Sequence, residues 1–342
     1  MTNCYYCDKL ITNLNKSKEH VIQNALGGRL ISPEILCKTC NNKTLNKFDI
    51  ELVKQFHIAT ILDIKKDADR THRILTHTKN GRKWLIDSKL TPYNTNPIFT
   101  PLENGGMRFS FRDLNEARKT IKGWKNKKPS INIDEELNKI IVTEEKVEGS
   151  VYFDSALIYG ENAFKAILKI ALNYYFSLNQ SKEYVNYPLD FLKNNIKGNY
   201  NNIVFHYYCE LDSIYKITTT EILHLLYLKG DSKEKLLYCY VELCGLHCFL
   251  VVLNYNYNGS DFEKTYCYDL QEQTIIDKKI ELNIKKTDID TYRPPIALGN
   301  NSLEIFNTRL ARILDIKNIK YEFSKLDDAM YIKKNGYSEK NI

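Results

Sequence analysis

Four cysteines near the start of the chain have the spacing of a metal site. Cys4–Cys7 and Cys37–Cys40 are C-x2-C pairs separated by 29 residues. Each short loop aims two thiolates at one point, and two such loops complete the tetrahedral shell of a structural Zn²⁺. An intracellular chain does not rely on disulfides, and two redox pairs this close together would be unusual, so zinc is the expected occupant. The gap exceeds the roughly 15–20 residues of a simple ribbon, so something is folded between the knuckles. That insert holds an adjacent acid and histidine, Glu19-His20, and a Gly27-Gly28 pair, while Asn41 directly follows the last cysteine.

The elements that must position these residues are short. Val21-Ile22 and Ile35-Leu36 read as β-type pieces on either side of the turn at Gly27-Gly28. Beyond Cys40, Leu45, Phe48, Leu52 and Phe56 recur at spacings of three and four, which predicts a helix. Asp49 is expected to cap a helix over DIELVKQFHIATIL, and Asn41 could also serve as a cap. The resulting order is strand, glycine-rich loop, strand and helix, clamped at its base by zinc.

The set Cys4, Cys7, Glu19, His20, Gly27, Gly28, Leu36, Cys37, Cys40 and Asn41 resembles the HNH, or His-metal finger, endonuclease family. More narrowly it is similar to the members with EH, then GG, then a zinc-clamped L-C-x-x-C-N ending. It is also similar to phage Holliday-junction resolvases, where an acid–His pair lies between two C-x-x-C knuckles. The resemblance covers roughly residues 4–50 and implies a ββα-metal module that hydrolyses phosphodiester bonds of DNA. It implies that His20 is the general base and that Glu19 and Asn41 hold one divalent cation, Mg²⁺ or another. Both are oxygen ligands suited to a hard cation, and a histidine near its ordinary pKa of about 6.5 is a neutral base at pH 7. The chain departs from the family in three ways. The acid is Glu rather than the commoner Asp, Ser32–Ile35 lacks the family's middle Asn, and Asn41 replaces the final His. Neighbours on a regular strand point to opposite faces, so Glu19 and His20 share one phosphate only if the strand ends, twists or bulges there.

Charge supports a polyanionic partner. The 342 residues carry a formal net charge of +7, made of +12 over residues 1–130 and −5 over the rest. Such asymmetry fits a DNA-facing front, although solvated surface lysines give the same arithmetic. Asn80-Gly81 between RILTHT and KWLIDS predicts a hairpin with Lys79, Arg82 and Lys83 at its tip. The segment LNEARKTIKGWKNKK predicts a basic helix presenting Arg118, Lys119, Lys122, Lys125 and Lys128 to backbone phosphates. Trp124 on that helix is expected to be core. A composition of 43% hydrophobic and 27% charged residues excludes wholesale disorder. No apolar run reaches the 18 residues of a membrane span, and the N-terminus lacks a signal-peptide pattern, so a cytoplasmic, membrane-free protein is expected.

The remainder carries no interpretable motif. ENAFKAILKIALNYYFSLN reads as a strong amphipathic helix. NIVFHYYCEL, EILHLLYLKG, KLLYCYVEL, LHCFLVVLNY and TYCYDL read as an antiparallel meander, and NSLEIFNTRLARIL as a further helix. Cys239, Cys244, His247 and Cys248 are expected to be buried in strands rather than to form a second metal site, and His72, His77, His206 and His224 are given no role. The polar tail after about residue 325 is expected to fray.

The expected architecture is therefore α+β: a small N-terminal zinc-clamped ββα-metal module and a larger α+β region with an antiparallel sheet. The expected organisation is 1–60 nuclease module, 61–150 basic nucleic-acid-contacting region and 151–342 C-terminal domain of unassigned role, with a homodimer possible. The functional expectation is a metal-dependent endonuclease in phage defence or restriction. The alternative is a zinc-stabilised nucleic-acid-binding protein without catalysis.

Overall fold

The computed structural model describes residues 2–67, 70–78, 81–89, 91–141, 143–147, 150–153, 158–195, 202–218, 220–292, 300–319, 322–323, 330–333 and 337–341. Lys79, at the expected hairpin tip, lies outside these residues. The fold is α+β with antiparallel sheets. The chain divides into two compact units. The first comprises residues 1–58, 65–68 and 157–317, and the second 59–64, 69–156 and 318–342. The N-terminal module thus shares its unit with the C-terminal sheet.

In the first unit the chain opens with the Cys4–Cys7 turn, and the Cys37–Cys40 pair follows a short two-stranded ladder. The strands Glu19–His20 and Ile31–Ser32 then pair antiparallel, Glu19 opposite Ser32 and His20 opposite Ile31. The pieces expected at Val21-Ile22 and Ile35-Leu36 are instead buried non-strand segments flanking this ladder. The ladder falls outside Val21-Ile22 and Ile35-Leu36 because those four residues are drawn into the core, where hydrophobic burial outweighs β-propensity. Between the strands a turn over Asn24–Leu26 ends at Gly27, whose φ of 92° favours glycine. A Cβ on Gly28 would lie 1.9 Å from the Ile22 carbonyl oxygen, so only glycine lets the loop close. After Cys40 one wide helical turn, Cys40–Leu45, leads into the helix Asn46–Gln55, which buries Phe48 and Leu52.

The six-stranded antiparallel sheet of this unit has the order 204–206, 247–254, 236–243, 223–231, 262–269 and 274–275. It is a meander over the three strands from 223 to 254, extended by 204–206 beside 247–254 and by the pair 262–269 and 274–275 beside 223–231. One face packs Leu225, Tyr227, Tyr238, Tyr240 and Leu250 into a core with Ile284 and Ile289. On the other face Phe249 meets Phe164 of the helix Glu161–Ser177 at 6.3 Å between ring centroids. That helix, expected to be amphipathic, is buried on every side from Ala163 to Tyr175, including Lys165 and Lys169. It lies between the sheet and the N-terminal module and packs against the helix Asn46–Gln55. Its polar stripe therefore meets protein instead of water. Cys239, Cys244 and Cys248 are buried in or beside the sheet strands, as expected.

The second unit holds another six-stranded antiparallel sheet, including the expected hairpin Ile74–Thr78 and Lys83–Ile86. Gly81 at its turn has φ 80°. The helix Leu114–Lys127 forms as predicted, capped by Asp113 accepting from the Glu116 backbone N–H. Its apolar residues Ala117 and Ile121 are buried, while Trp124, expected in the core, is half-buried with its ring 4.6 Å from Phe109. The tail expected to fray instead forms strands at Met330–Lys333 and Tyr337–Asn341. They pair with Ser150–Phe153 and Thr143–Val147. The backbone ladder offsets the polar composition there.

Candidate active site

The four predicted thiol ligands converge. The sulfur atoms of Cys4, Cys7, Cys37 and Cys40 all lie within 4.8 Å of one another, and Cys7 Sγ is 3.8 Å from Cys37 Sγ. Tetrahedral Zn–S bonds of about 2.3 Å imply S···S edges of about 3.8 Å, so the quartet closes on Zn²⁺ with shifts of about 1 Å or less. Burial pushes the Cys4 and Cys40 thiols above their ordinary range. A dication reverses that by pairing with thiolates. Among the described residues no other group of Cys, His, Asp and Glu has metal-site spacing.

A cleft of about 430 Å³ opens beside the short ladder. Glu19, His20, Gln23, Asn41, Asn46 and Asp49 are among the residues lining it. The three residues expected to form the reactive centre therefore meet in one cavity. The strand ends at His20, which lets two neighbours with opposite strand faces share it. Asn41 sits in the wide turn after Cys40, so the cysteine cluster fixes its position directly.

His20 is half-buried, and its Nδ1 lies 3.2 Å from the Gly28 carbonyl oxygen. A carbonyl only accepts, so Nδ1–H donates and the neutral ring keeps its lone pair on Nε2. Burial holds the His20 pKa below the ordinary histidine value, and the nearby Arg29 charge adds to this. Gly28, which cannot be replaced without a clash, thus orients the ring. Leu26 in the same loop is tied to the sheet: His224 Nε2 donates to its carbonyl at 2.8 Å, while His224 Nδ1 accepts from the Cys244 N–H at 3.2 Å. Both ring nitrogens are satisfied by the neutral tautomer only, so this histidine, given no role from sequence, anchors the loop.

Glu19 is 3% exposed, and its Oε1 accepts from Asn173 Nδ2 and pairs with Lys169 Nζ, each at 2.8 Å. Lys169 also holds Asp49 Oδ2 at 2.6 Å, and Gln23 donates to Asp49 Oδ1 at 2.6 Å. Burial raises the Glu19 pKa, against the pull of Lys169. Burial also penalises the Lys169 charge, but Asp49 and Glu19 more than offset this, so the amine stays protonated. Asp49 is therefore not a helix cap: it lies within the first turn of its helix and its carboxylate turns to the ammonium. Lys169 and Asn173 are absent from any motif. Their only sequence signal is polar residues at 165, 169 and 173, every fourth position of an otherwise apolar helix.

The donor set of the cleft, carboxylates of Glu19 and Asp49 and the amide oxygen of Asn41, is all hard oxygen, which suits a divalent cation of the Mg²⁺ class. In the second unit Lys83, Arg118, Lys119, Lys122, Lys125 and Lys128 are exposed. Arg82 is exposed as well, with its guanidinium 4.0 Å over the Trp84 ring, and Arg118 lies 3.7 Å from Asp134. No helix of the described residues is long and apolar enough to cross a membrane.

Residues 4–57 match the model of a family described as HNH endonuclease. The match spans both cysteine pairs, the Glu19-His20 ladder and the helix that carries Asp49. No curated protein and no solved structure matches the chain.

Proposed function

We propose that the chain is a metal-dependent endonuclease that hydrolyses phosphodiester bonds of DNA, with His20 as general base. The observation that carries this reading is the convergence of His20, Glu19 and Asn41 on one cleft within the segment that matches an HNH endonuclease model. His20 Nε2, unprotonated while Nδ1–H donates to Gly28, takes a proton from water as its oxygen attacks phosphorus. The bond to the leaving oxygen breaks, and that oxygen gains a proton from solvent. Glu19 and Asn41 would hold the divalent cation, with Asp49 beside them. The cation, when bound, supplies positive charge to the phosphate oxygens. Zn²⁺ at the four cysteines holds the loops that carry these groups. The exposed lysines of the helix Leu114–Lys127 and Lys128 supply sequence-independent phosphate contacts. Phage defence or restriction is the setting we favour, because modules of this type commonly occur there.

The alternative, a zinc-stabilised nucleic-acid-binding protein without catalysis, is favoured by one observation: an ammonium already sits on Glu19. A plasmid-nicking assay separates the two. Nicking that requires Mg²⁺ or Mn²⁺, stops in EDTA and is lost in His20→Ala supports the enzyme. DNA binding without nicking under any divalent cation supports the alternative.

A further inference from the structure

The helix Glu161–Ser177 lies far outside the matched segment, yet its side chains contact two acids of the cleft directly. Lys169 Nζ is 2.8 Å from Glu19 Oε1 and 2.6 Å from Asp49 Oδ2, and its side chain is 1% exposed. Asn173, four residues on and so on the same helix face, donates to that same Glu19 oxygen at 2.8 Å. The arrangement is costly as a packing device. A buried ion-paired cluster commonly adds no stability over apolar residues of the same volume. Its neighbours Ile167, Leu168, Ile170, Ala171 and Leu172 show that this helix otherwise uses apolar residues.

We propose that Lys169 is a positioning residue of the cleft: its ammonium ties the Glu19 and Asp49 carboxylates together and sets how tightly they bind a divalent cation. This rests on the cleft being a cation site, as in the reading above. Glu19, Asp49 and Lys169 together carry one net negative charge, and two without the lysine. The lysine therefore keeps the carboxylates from splaying apart and weakens their attraction for a dication. A site of this kind exchanges its cation readily and still presents its ligands in register.

The test uses full-length, zinc-loaded protein as wild type, Lys169→Met, Lys169→Gln and Lys169→Arg. Free Mn²⁺ is followed by electron paramagnetic resonance, with Glu19→Gln marking the signal that belongs to this cleft. Removing one unit charge beside a dication is expected to tighten Mn²⁺ binding by at least about tenfold in the Met and Gln variants. Nicking at saturating Mn²⁺ is expected to fall in both, while the Arg variant keeps the wild-type affinity. The Gln variant retains a hydrogen-bond donor and carries the test if the Met variant does not fold. Unchanged Mn²⁺ affinity in the folded neutral variants, with only a lower melting temperature, would overturn the inference and leave Lys169 as a core ion pair. Shifted affinity with a wild type that never nicks DNA leaves the inference standing and removes the nuclease reading. Nicking with unshifted affinity does the reverse, and a wild type that binds no Mn²⁺ through Glu19 removes the inference.

Discussion

Tyr5 donates its hydroxyl to Asn173 Oδ1 at 2.8 Å, joining residues 168 positions apart in a buried hydrogen bond. Tyr5 follows the first cysteine of the cluster, and its ring stacks on Phe176 at 4.6 Å between centroids. By taking the amide oxygen of Asn173, it directs the Asn173 nitrogen to Glu19. The cysteine knuckle, the central helix and the acid of the cleft are thus one hydrogen-bonded series. Tyr5→Phe keeps the stack and leaves Asn173 Oδ1 buried without its donor, a change worth about 1–3 kcal/mol. Urea unfolding should show a loss of that size with zinc content unchanged, and a loss below about 0.5 kcal/mol would show that the bond contributes little.

Zinc should be part of the folding free energy of the module. Cys37→Ser, or chelation of the wild type, is expected to remove the metal and expose the amides of residues 4–57 to hydrogen exchange. Elemental analysis of the purified wild type should return one Zn²⁺ per chain. A metal-free protein with full protection in that segment would contradict the structural role.

His20→Ala should lower nicking by about 10²–10⁴-fold while zinc content and DNA binding persist. The pH profile carries a second check. The base works unprotonated, and burial lowers its pKa, so activity is lost only as pH falls below the ordinary histidine value of about 6.5. A cation at Glu19 pushes in the same direction. An acid limb centred above that value would place the titrating base elsewhere.

Neutralising Lys122, Lys125 and Lys128 together should weaken DNA binding about equally for all sequences. The slope of log affinity against log salt should flatten by roughly 0.9 for each phosphate that is no longer neutralised. An unchanged slope would make this helix an ordinary solvated face.

The first unit should lose stability in mild acid. Burial pulls His224 and His206 down to about 4 and His247 to about 3. Their folded pKa values lie below the unfolded value of about 6.5, so the unfolded state binds more protons between these limits. Their contribution is fully present above about 6.5 and is lost as pH falls toward 4. Melting temperature followed across that window should drop, and the drop should shrink in His247→Phe. A flat profile from pH 7 to 4 would show that these rings are solvated.

Much of the site was legible because it rests on local geometry. The C-x2-C spacing fixes where thiolates can point, and a glycine pair beside an acid–histidine pair marks a loop that must close tightly. The hairpin at Asn80-Gly81 and the helix after Asp113 were legible for the same reason, since turn and cap chemistry act within a few residues. What sequence reading missed is long-range. Asp49 read as a cap because the cation that claims it lies 120 residues downstream. The helix Glu161–Ser177 read as amphipathic because Lys165, Lys169 and Asn173 are polar, and periodicity cannot tell a face turned to water from one turned to buried carboxylates. The two short strands were misplaced, the first by two residues and the second by four, since β-propensity favours Val21-Ile22 and Ile35-Leu36 where packing needed them in the core.

The dependence of Glu19 and Asp49 on a helix beyond residue 160 has a consequence for biosynthesis. More than a hundred residues separate Asp49 from that helix. At about 5–20 residues per second, the ribosome exposes the cysteine turns and the histidine loop several seconds before Lys169 emerges. Throughout that interval the nascent module lacks the ammonium and amide that hold its acids. On the nuclease reading proposed above, half-finished copies would lack a completed site, because the contacts of Glu19 and Asp49 form only once translation has passed the central helix.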